Sequence, residues 1–469
     1  MEKQERGHIV ALPLPAQGHV NPMIQFSKRL ISKGLKLTLI TVPPLEMDNI
    51  PPIQAGVGGE TIGFERLSFP TKEEEGVSSD IQGNFQSYYK QFRQLVSIQL
   101  PQIVEKHKNM QASYPVSCLL YDSHFPWALD VAKQLGLAAA PLFTQSCAVN
   151  TIHYNVHQGL LRIPLREDQD EALVCMAGLP RLEIFDLPSF FYDREADPFI
   201  LALLASQFSN FAEADFIFVN TFDSLEEQVV SWAARQWPAI KNIGPTIPSM
   251  YLDKRLKDDK DYGLSLFKPE ADICRKWLDS KGDASVVYVA FGSMATLGEE
   301  QMEEIAWGLK RSERPFLWAV RESELKKLPR NFIEETTEKG LVVPWCPQLE
   351  VLAHEAVGCF VTHCGWNSTL EALSLGVPMV AVPYWSDQPT NAKFVMDVWR
   401  VGLRAKLNKR GIVTREEVEL CIKEVMEGES SLEIKRNSEK LKVMAREAVD
   451  EGGSSDNNIQ QFVNKLVCA

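Results

Sequence analysis

The chain has no C-x-x-C pair, and its nine cysteines are scattered from Cys118 to Cys468. An odd, unclustered set of this kind makes neither a disulfide framework nor a zinc knuckle, and it fits reduced thiols in the cytoplasm. No stretch approaches the roughly 18 to 20 apolar residues that a membrane helix needs. The amino terminus "MEKQERGHIVALPLP" has a short apolar run before two prolines and no small-residue cleavage pattern, so it does not read as a signal peptide. Positive charge is in short supply: 49 Lys and Arg stand against 62 Asp and Glu, a net −13, which argues against a nucleic acid or an anionic membrane as partner. Three catalytic signatures are also missing. There is no G-x-S-x-G elbow of a serine hydrolase. The pair His153 and His157 in "HYNVH" has zincin spacing without the glutamate, and "GVGGET" (56–61) neither closes a strand nor opens a helix, which removes a nicotinamide enzyme.

What is present is a globular composition, 45% hydrophobic and 24% charged, over 469 residues. That length is too great for one core and suggests two domains of about 200 residues each. "HIVALPLP" reads as a buried strand, Asn21 as an N-cap with Pro22 at the first helical position, "MIQFSKRLISK" as a helix stopped by Gly34, and "LKLTLIT" as a second strand. The strand–helix pattern recurs at "VSCLLYD" and "ADFIFVNTF". It resumes at "ASVVYVAFGS", where Thr296 and Glu299 have capping-box spacing, and continues through "PFLWAV", "LVVPW", "GCFVTH" and "PMVAVP". Alternation in both halves predicts an α/β protein of two doubly wound parallel sheets. The expected division is 1–245, a Pro- and charge-rich linker at 246–270, 271–450, and a final segment 451–469. Ile459, Phe462, Val463 and Leu466 in that segment have the spacing of a helix docking back on the first domain.

The junction "FVTHCGWNSTLEAL" passes from strand to helix through residues poorly suited to a core. Ser368 and Glu371 have S-x-x-E capping spacing, and Gly376 before Val-Pro ends the helix. A helix amino terminus at a strand end is an anion site. The 44 residues from Trp345 to Gln388 contain no lysine or arginine, so an anion there would be held by dipoles, hydroxyls, an amide and an imidazole. Trp345 and the pair Asp387 and Gln388 also follow strand ends. A tryptophan face, an anion cradle and a carboxylate–amide pair together suit a ring base, a diphosphate and a sugar.

The segment "WCPQLEVLAHEAVGCFVTHCGWNSTLEALSLGVPMVAVPYWSDQ" resembles the signature box of plant UDP-dependent glycosyltransferases of small secondary metabolites, and "PAQGHVNP", "VNTFDSLE", "IGP" and "VAFGS" extend the resemblance over most of the chain. The resemblance implies the GT-B fold, two Rossmann-like domains facing across a cleft, the first binding the acceptor and the second the UDP-sugar. It implies that Trp345 stacks on uracil, that Gln348 and the Cys346 backbone contact base and ribose, and that Glu371 binds the ribose. Ser293, His363, Gly365, Asn367 and Ser368 would surround the diphosphate, and Thr144, Trp366, Asp387 and Gln388 would face the sugar. Glu371 cannot both close a capping box and hold ribose; the ribose role is preferred. Trp366 and Gln388 are similar to those of glucose-preferring members.

Transfer to an alcohol needs a base, and an imidazole suits that task near neutral pH. Of the eight histidines, His19 sits in the loop after the first strand, and Asp122, ending "VSCLLYD", emerges on the same sheet edge. The family gives matching residues the roles of base and orienter, so an inverting displacement without a covalent intermediate is expected, with UDP-glucose as co-substrate and no cofactor or metal. The acidic triplets at 168–170 and 259–261 resemble a metal-binding D-x-D, but their surroundings read as solvated surface. Phe125, Phe190, Phe191 and Trp385 are candidates for an apolar acceptor pocket suited to a flavonoid, terpenoid or steroid. Glucose-ester formation on a small carboxylic acid and a non-catalytic sugar-nucleotide sensor are the alternatives. A monomer is expected.

Overall fold

The computed structural model describes residues 7–41, 61–67, 85–110, 114–163, 175–193, 195–263 and 269–468. The readings placed on residues 56–60 and on the triplet 168–170 lie outside the described residues. The chain forms two compact units: Met1–Arg162 with Glu195–Leu264 and Ala448–Ala469, and Ile163–Arg194 with Ser265–Glu447.

The first unit is built on seven strands, β1 (His8–Leu12), β2 (Lys36–Thr41), β3 (Gly63–Arg66), β4 (Val116–Asp122), β5 (Ala138–Phe143), β6 (Ile217–Val219) and β7 (Ile240–Asn242). They are parallel and ordered β3-β2-β1-β4-β5-β6-β7. The central strands are apolar on both faces because helices cover both, as a parallel sheet requires. One face packs Phe92, Phe125 and Trp127, and the other packs Ile9, Phe26 and Phe218. The helix Ser454–Cys468 completes that second face, with the Phe462 ring 4.7 Å from Phe216 and 4.9 Å from Phe218.

The second unit repeats the plan with β8 (Val286–Ala290), β9 (Phe316–Ala319), β10 (Gly340–Val343), β11 (Val357–Thr362), β12 (Met379–Ala381) and β13 (Gly402–Arg404). Their order is β10-β9-β8-β11-β12-β13, again all parallel. In both sheets the order reverses beside the first strand, between β1 and β4 and between β8 and β11. Such switch points leave a crevice at the carboxyl ends of the strands, where ligands bind in open α/β sheets.

Three local expectations are corrected. The first helix runs Gln17–Ser32, five residues ahead of the position proposed from Asn21 and Pro22, with Pro22 inside it and Ala16 as an N-cap that makes no side-chain bond. The Thr296–Glu299 box does not form: Gly298 caps Glu299–Arg311, and Thr296 Oγ1 instead accepts from Arg321 at 3.2 Å. The 259–261 triplet is solvated only in part: Lys260 and Asp261 are exposed. Asp259 is buried and binds Lys28 Nζ at 2.6 Å, while the Asp261 carbonyl takes a second Lys28 bond at 2.7 Å. Among the described residues no helix is long and apolar enough to cross a membrane.

Candidate active site

In the first unit, His19, Asp122 and Thr144 come from the ends of three neighbouring strands. Asp122 is the last residue of β4, Thr144 directly follows β5, and His19 lies in the first turn of the helix after β1. His19 Nδ1 is 2.7 Å from Asp122 Oδ2 and 3.1 Å from Thr144 Oγ1. Asp122 is fully buried, and the His19 ring is one-fifth exposed. Burial opposes ionisation of Asp122, but the charge of His19 and bonds from His124 and His19 outweigh it and hold the carboxyl far below its ordinary range. An ionised carboxylate only accepts hydrogen bonds, so Nδ1 of His19 carries a proton towards Asp122, and in the neutral ring Nε2 is left with the lone pair.

The sequence reading missed His124. Its Nδ1 lies 2.8 Å from the other oxygen, Asp122 Oδ1, which also accepts the His124 backbone N–H at 3.0 Å. The two imidazoles meet edge to face at 5.0 Å. Burial pushes the His124 imidazole down despite its bonds to Asp122, so this ring is neutral at neutral pH. The Tyr89 hydroxyl donates to the His124 carbonyl at 2.7 Å and accepts from Trp127 Nε1 at 3.0 Å. The signal was available: a histidine two residues beyond a strand-ending aspartate can reach back to it. His19, Asp122 and His124 are close enough for metal ligands, but each Asp122 oxygen is engaged by an imidazole N–H, which makes them a hydrogen-bonded chain.

In the second unit, Ser293 follows β8, Trp345 follows β10, His363 follows β11 and Asp387 and Gln388 follow β12. The helix Trp366–Leu375 begins on Gly365, so Ser368 is inside its first turn and Glu371 is no capping partner. Gly376 ends it in the left-handed region, as its position before Val-Pro implied. Glu371 Oε2 instead accepts the Gln348 amide at 2.6 Å, and the same nitrogen reaches Ser368 Oγ at 2.9 Å. Tyr288, absent from the sequence reading, holds the other end of Gln348 by a 3.1 Å bond to Oε1 and lies 3.1 Å from Cys346 Sγ. His363 is enclosed by glycine. A Cβ at Gly292 would lie 2.8 Å from its Nε2, and one at Gly365 2.6 Å. Burial lowers this imidazole to about 4 against a bond to the Ala290 carbonyl, so it too is neutral at neutral pH. Arg321, also missed, donates to the Ser293 and Ala295 carbonyls and pins the loop after β8.

Gln388 Oε1 accepts the backbone N–H groups of Tyr384 and Trp385 at 2.9 and 3.0 Å, and Asp387 Oδ2 accepts from Asn391 at 2.7 Å. Asn391 also donates to the Cys364 carbonyl at 2.9 Å, tying this loop to the turn after β11. Trp366 is buried with its ring 6.1 Å from Trp399. Of the four aromatic residues proposed for an acceptor pocket, Phe125 is core, between Phe92 and Trp127, and Phe191 is almost wholly buried. Phe190 packs edge-on against Trp385 at 5.7 Å, within the second unit.

Two such sheets, with a helix amino terminus at the second switch point and a carboxylate-held imidazole at the first, are those of the GT-B fold of sugar-nucleotide transferases. A family model described as UDP-glucoronosyl and UDP-glucosyl transferase matches residues 201–447. Mogroside I-E synthase of Siraitia grosvenorii is 49% identical over 99% of both chains, and UDP-glycosyltransferase 74E2 of Arabidopsis thaliana is 48% identical over 98% of this chain and 99% of its own. The crystal structure of Os79 from O. sativa in complex with UDP superposes with a TM-score of 0.89 at 38% identity, covering 98% of this chain and all of that one. The chain belongs to the UDP-dependent glycosyltransferase family. It is an enzyme whose co-substrate is a UDP-sugar.

Proposed function

We propose that the protein moves glucose from UDP-glucose to a hydroxyl of a small hydrophobic acceptor such as a flavonoid, terpenoid or steroid, with inversion at the anomeric carbon. The observation that carries this reading is the 2.7 Å bond from His19 to a buried, ionised Asp122. With Nδ1 held, Nε2 takes the acceptor proton as the oxygen attacks opposite UDP, and Asp122 stabilises the imidazolium that forms. The donor is the task of the second unit. Trp345 stacks on uracil, Gln348 and the Cys346 backbone reach base and ribose, and the ribose hydroxyls take the place of the Gln348 amide on Glu371. Ser293, Gly365, Asn367, Ser368 and neutral His363 receive the diphosphate as hydrogen-bond donors, which stabilises its growing charge without a metal. Asp387, Gln388, Trp366 and Thr144 face the glucose. Because Gln388 Oε1 is engaged by the loop backbone, Gln388 offers the sugar its amide N–H groups. Phe190 and Trp385 contribute an apolar acceptor wall. The enzyme acts as a cytoplasmic monomer in this reading.

The test is His19→Ala assayed with an alcohol and with a carboxylic acid. Turnover of the alcohol is expected to fall by about 10²–10⁴ with UDP affinity unchanged. An acid, already ionised, should be spared much of that loss. Near-normal turnover of unactivated alcohols by the variant would refute the base. A mass-spectrometric screen of mixed phenols, terpenoid alcohols and acids, read as gain of one hexose, identifies the acceptor.

A further inference from the structure

Residues 182–191 precede the second unit's own sheet by about a hundred positions, yet they are bonded to the loop and helix that carry Asp387 and Gln388, and to Arg404 at the end of β13. The Ser189 N–H donates to the Ser386 carbonyl at 2.9 Å, and the Ser386 N–H donates to Ser189 Oγ at 2.7 Å. One serine therefore satisfies both backbone groups of the residue immediately before Asp387. Ser386 needs that support. Its φ of 59° lies in the left-handed region, which a non-glycine residue holds only where its surroundings impose it. Three residues earlier, the Asp186 carbonyl accepts from Thr390 Oγ1 at 2.7 Å, on the helix Gln388–Lys393 that begins with the glutamine. The Asp186 carboxylate takes Arg404 Nη1 at 2.7 Å and Lys393 Nζ at 3.3 Å, and Arg404 Nη2 reaches the Phe185 carbonyl at 2.8 Å. Ser189 and Asp186 are buried.

We propose that Ser189 is a positioning residue for the donor sugar: through Ser386 it fixes the backbone from which Asp387 and Gln388 reach glucose, with Asp186 anchoring the segment to Arg404, Lys393 and Thr390. The inference rests on the reading above that those two residues face the sugar. It assigns Ser189 no contact with substrate. It also links acceptor and donor selectivity mechanically, because Phe190, the next residue, packs on Trp385 within the same loop. Changes made at 185–191 to alter the acceptor should then disturb donor choice as well.

A structural role alone would weaken UDP and UDP-glucose together, so the readout is the difference between them. Ser189→Ala is expected to raise KM for UDP-glucose about three- to tenfold, the effect of losing one hydrogen bond, with inhibition by UDP unchanged. It should also narrow the preference for UDP-glucose over UDP-galactose. Ser189→Thr, which keeps the hydroxyl, restores both values, and a Tm near that of the parent shows that the variants fold. Equal weakening of UDP and UDP-glucose, or no change in either, overturns the role of Ser189. Gln388→Ala run in parallel separates this from its premise: if its KM for UDP-glucose is normal, the placement of the sugar fails and the proposal falls with it.

Discussion

At the scale of single residues, the site is held by groups that exhaust each other's hydrogen-bonding capacity. Asp122 serves two imidazoles, one on each oxygen, and Gln348 is held at its oxygen by Tyr288 and at its nitrogen by Glu371 and Ser368. His363 is fixed by space, between two residues with no Cβ. Gly365 has φ −58 and ψ 144, a conformation open to any residue, so its glycine is required by the neighbour and not by the backbone. Gly365→Ala should push the His363 ring aside and cost about ten- to a hundredfold in kcat/KM for UDP-glucose. Gly298→Ala, where a Cβ meets nothing within 4 Å, serves as the control and should stay within about twofold. Steady-state kinetics with the donor varied checks both. The signature residues themselves were legible in the sequence. Their partners Tyr288 and Arg321 were not, because a residue that holds another from a distant part of the chain carries no local pattern of its own, whereas His124 stands two residues from Asp122 and was overlooked.

At the scale of elements, the strands named from sequence were those rich in Val, Ile, Leu and Phe. β5 escaped notice because "AAAPLF" has weak strand propensity and a proline at Pro141, yet it pairs with β4 and β6 in mid-sheet, where small side chains fit beneath covering helices. β3, β7 and β13 are edge strands of three or four residues, too short for a period to register. The first helix starts early with no capping residue to mark it: Ala16 makes no side-chain bond, and the first turn is closed by the His19 and Val20 N–H groups on the Ala16 carbonyl. Its middle carries Lys28, whose pairing with Asp259 is almost completely buried, unlike Lys133 with Glu213, where both partners are about half exposed or more. Lys28→Met leaves a buried carboxylate without its cation and should cost about 3–5 kcal/mol. Lys133→Met should cost less than about 1 kcal/mol. Denaturant unfolding followed by the first unit's fluorescence distinguishes them.

At the scale of the whole molecule, buried histidines make stability depend on acid. Burial lowers His8 and His153 to about 3 and His363 to about 4, and lowers His124 as well. Each takes up a proton in the unfolded chain near its ordinary value of about 6.5 but resists it when folded. Their stabilisation is therefore complete above that pH and is lost as pH falls towards the folded values. Asp122, held low, adds its own loss below about 4. Tm should decline steadily from about pH 6.5 to 4 in scanning calorimetry, and a flat profile over that range would contradict these shifts. The sequence by itself determined two parallel sheets, their βα rhythm and the residue types gathered at the strand tips, because apolar periodicity and turn chemistry are local. Only the tertiary structure decided that residues 182–191 are bonded to the second unit's loop, that Asp259 is buried in a pair with Lys28 and that one carboxylate serves two imidazoles. Those outcomes depend on which distant backbone donors and buried charges find partners, and no spacing along the chain encodes that.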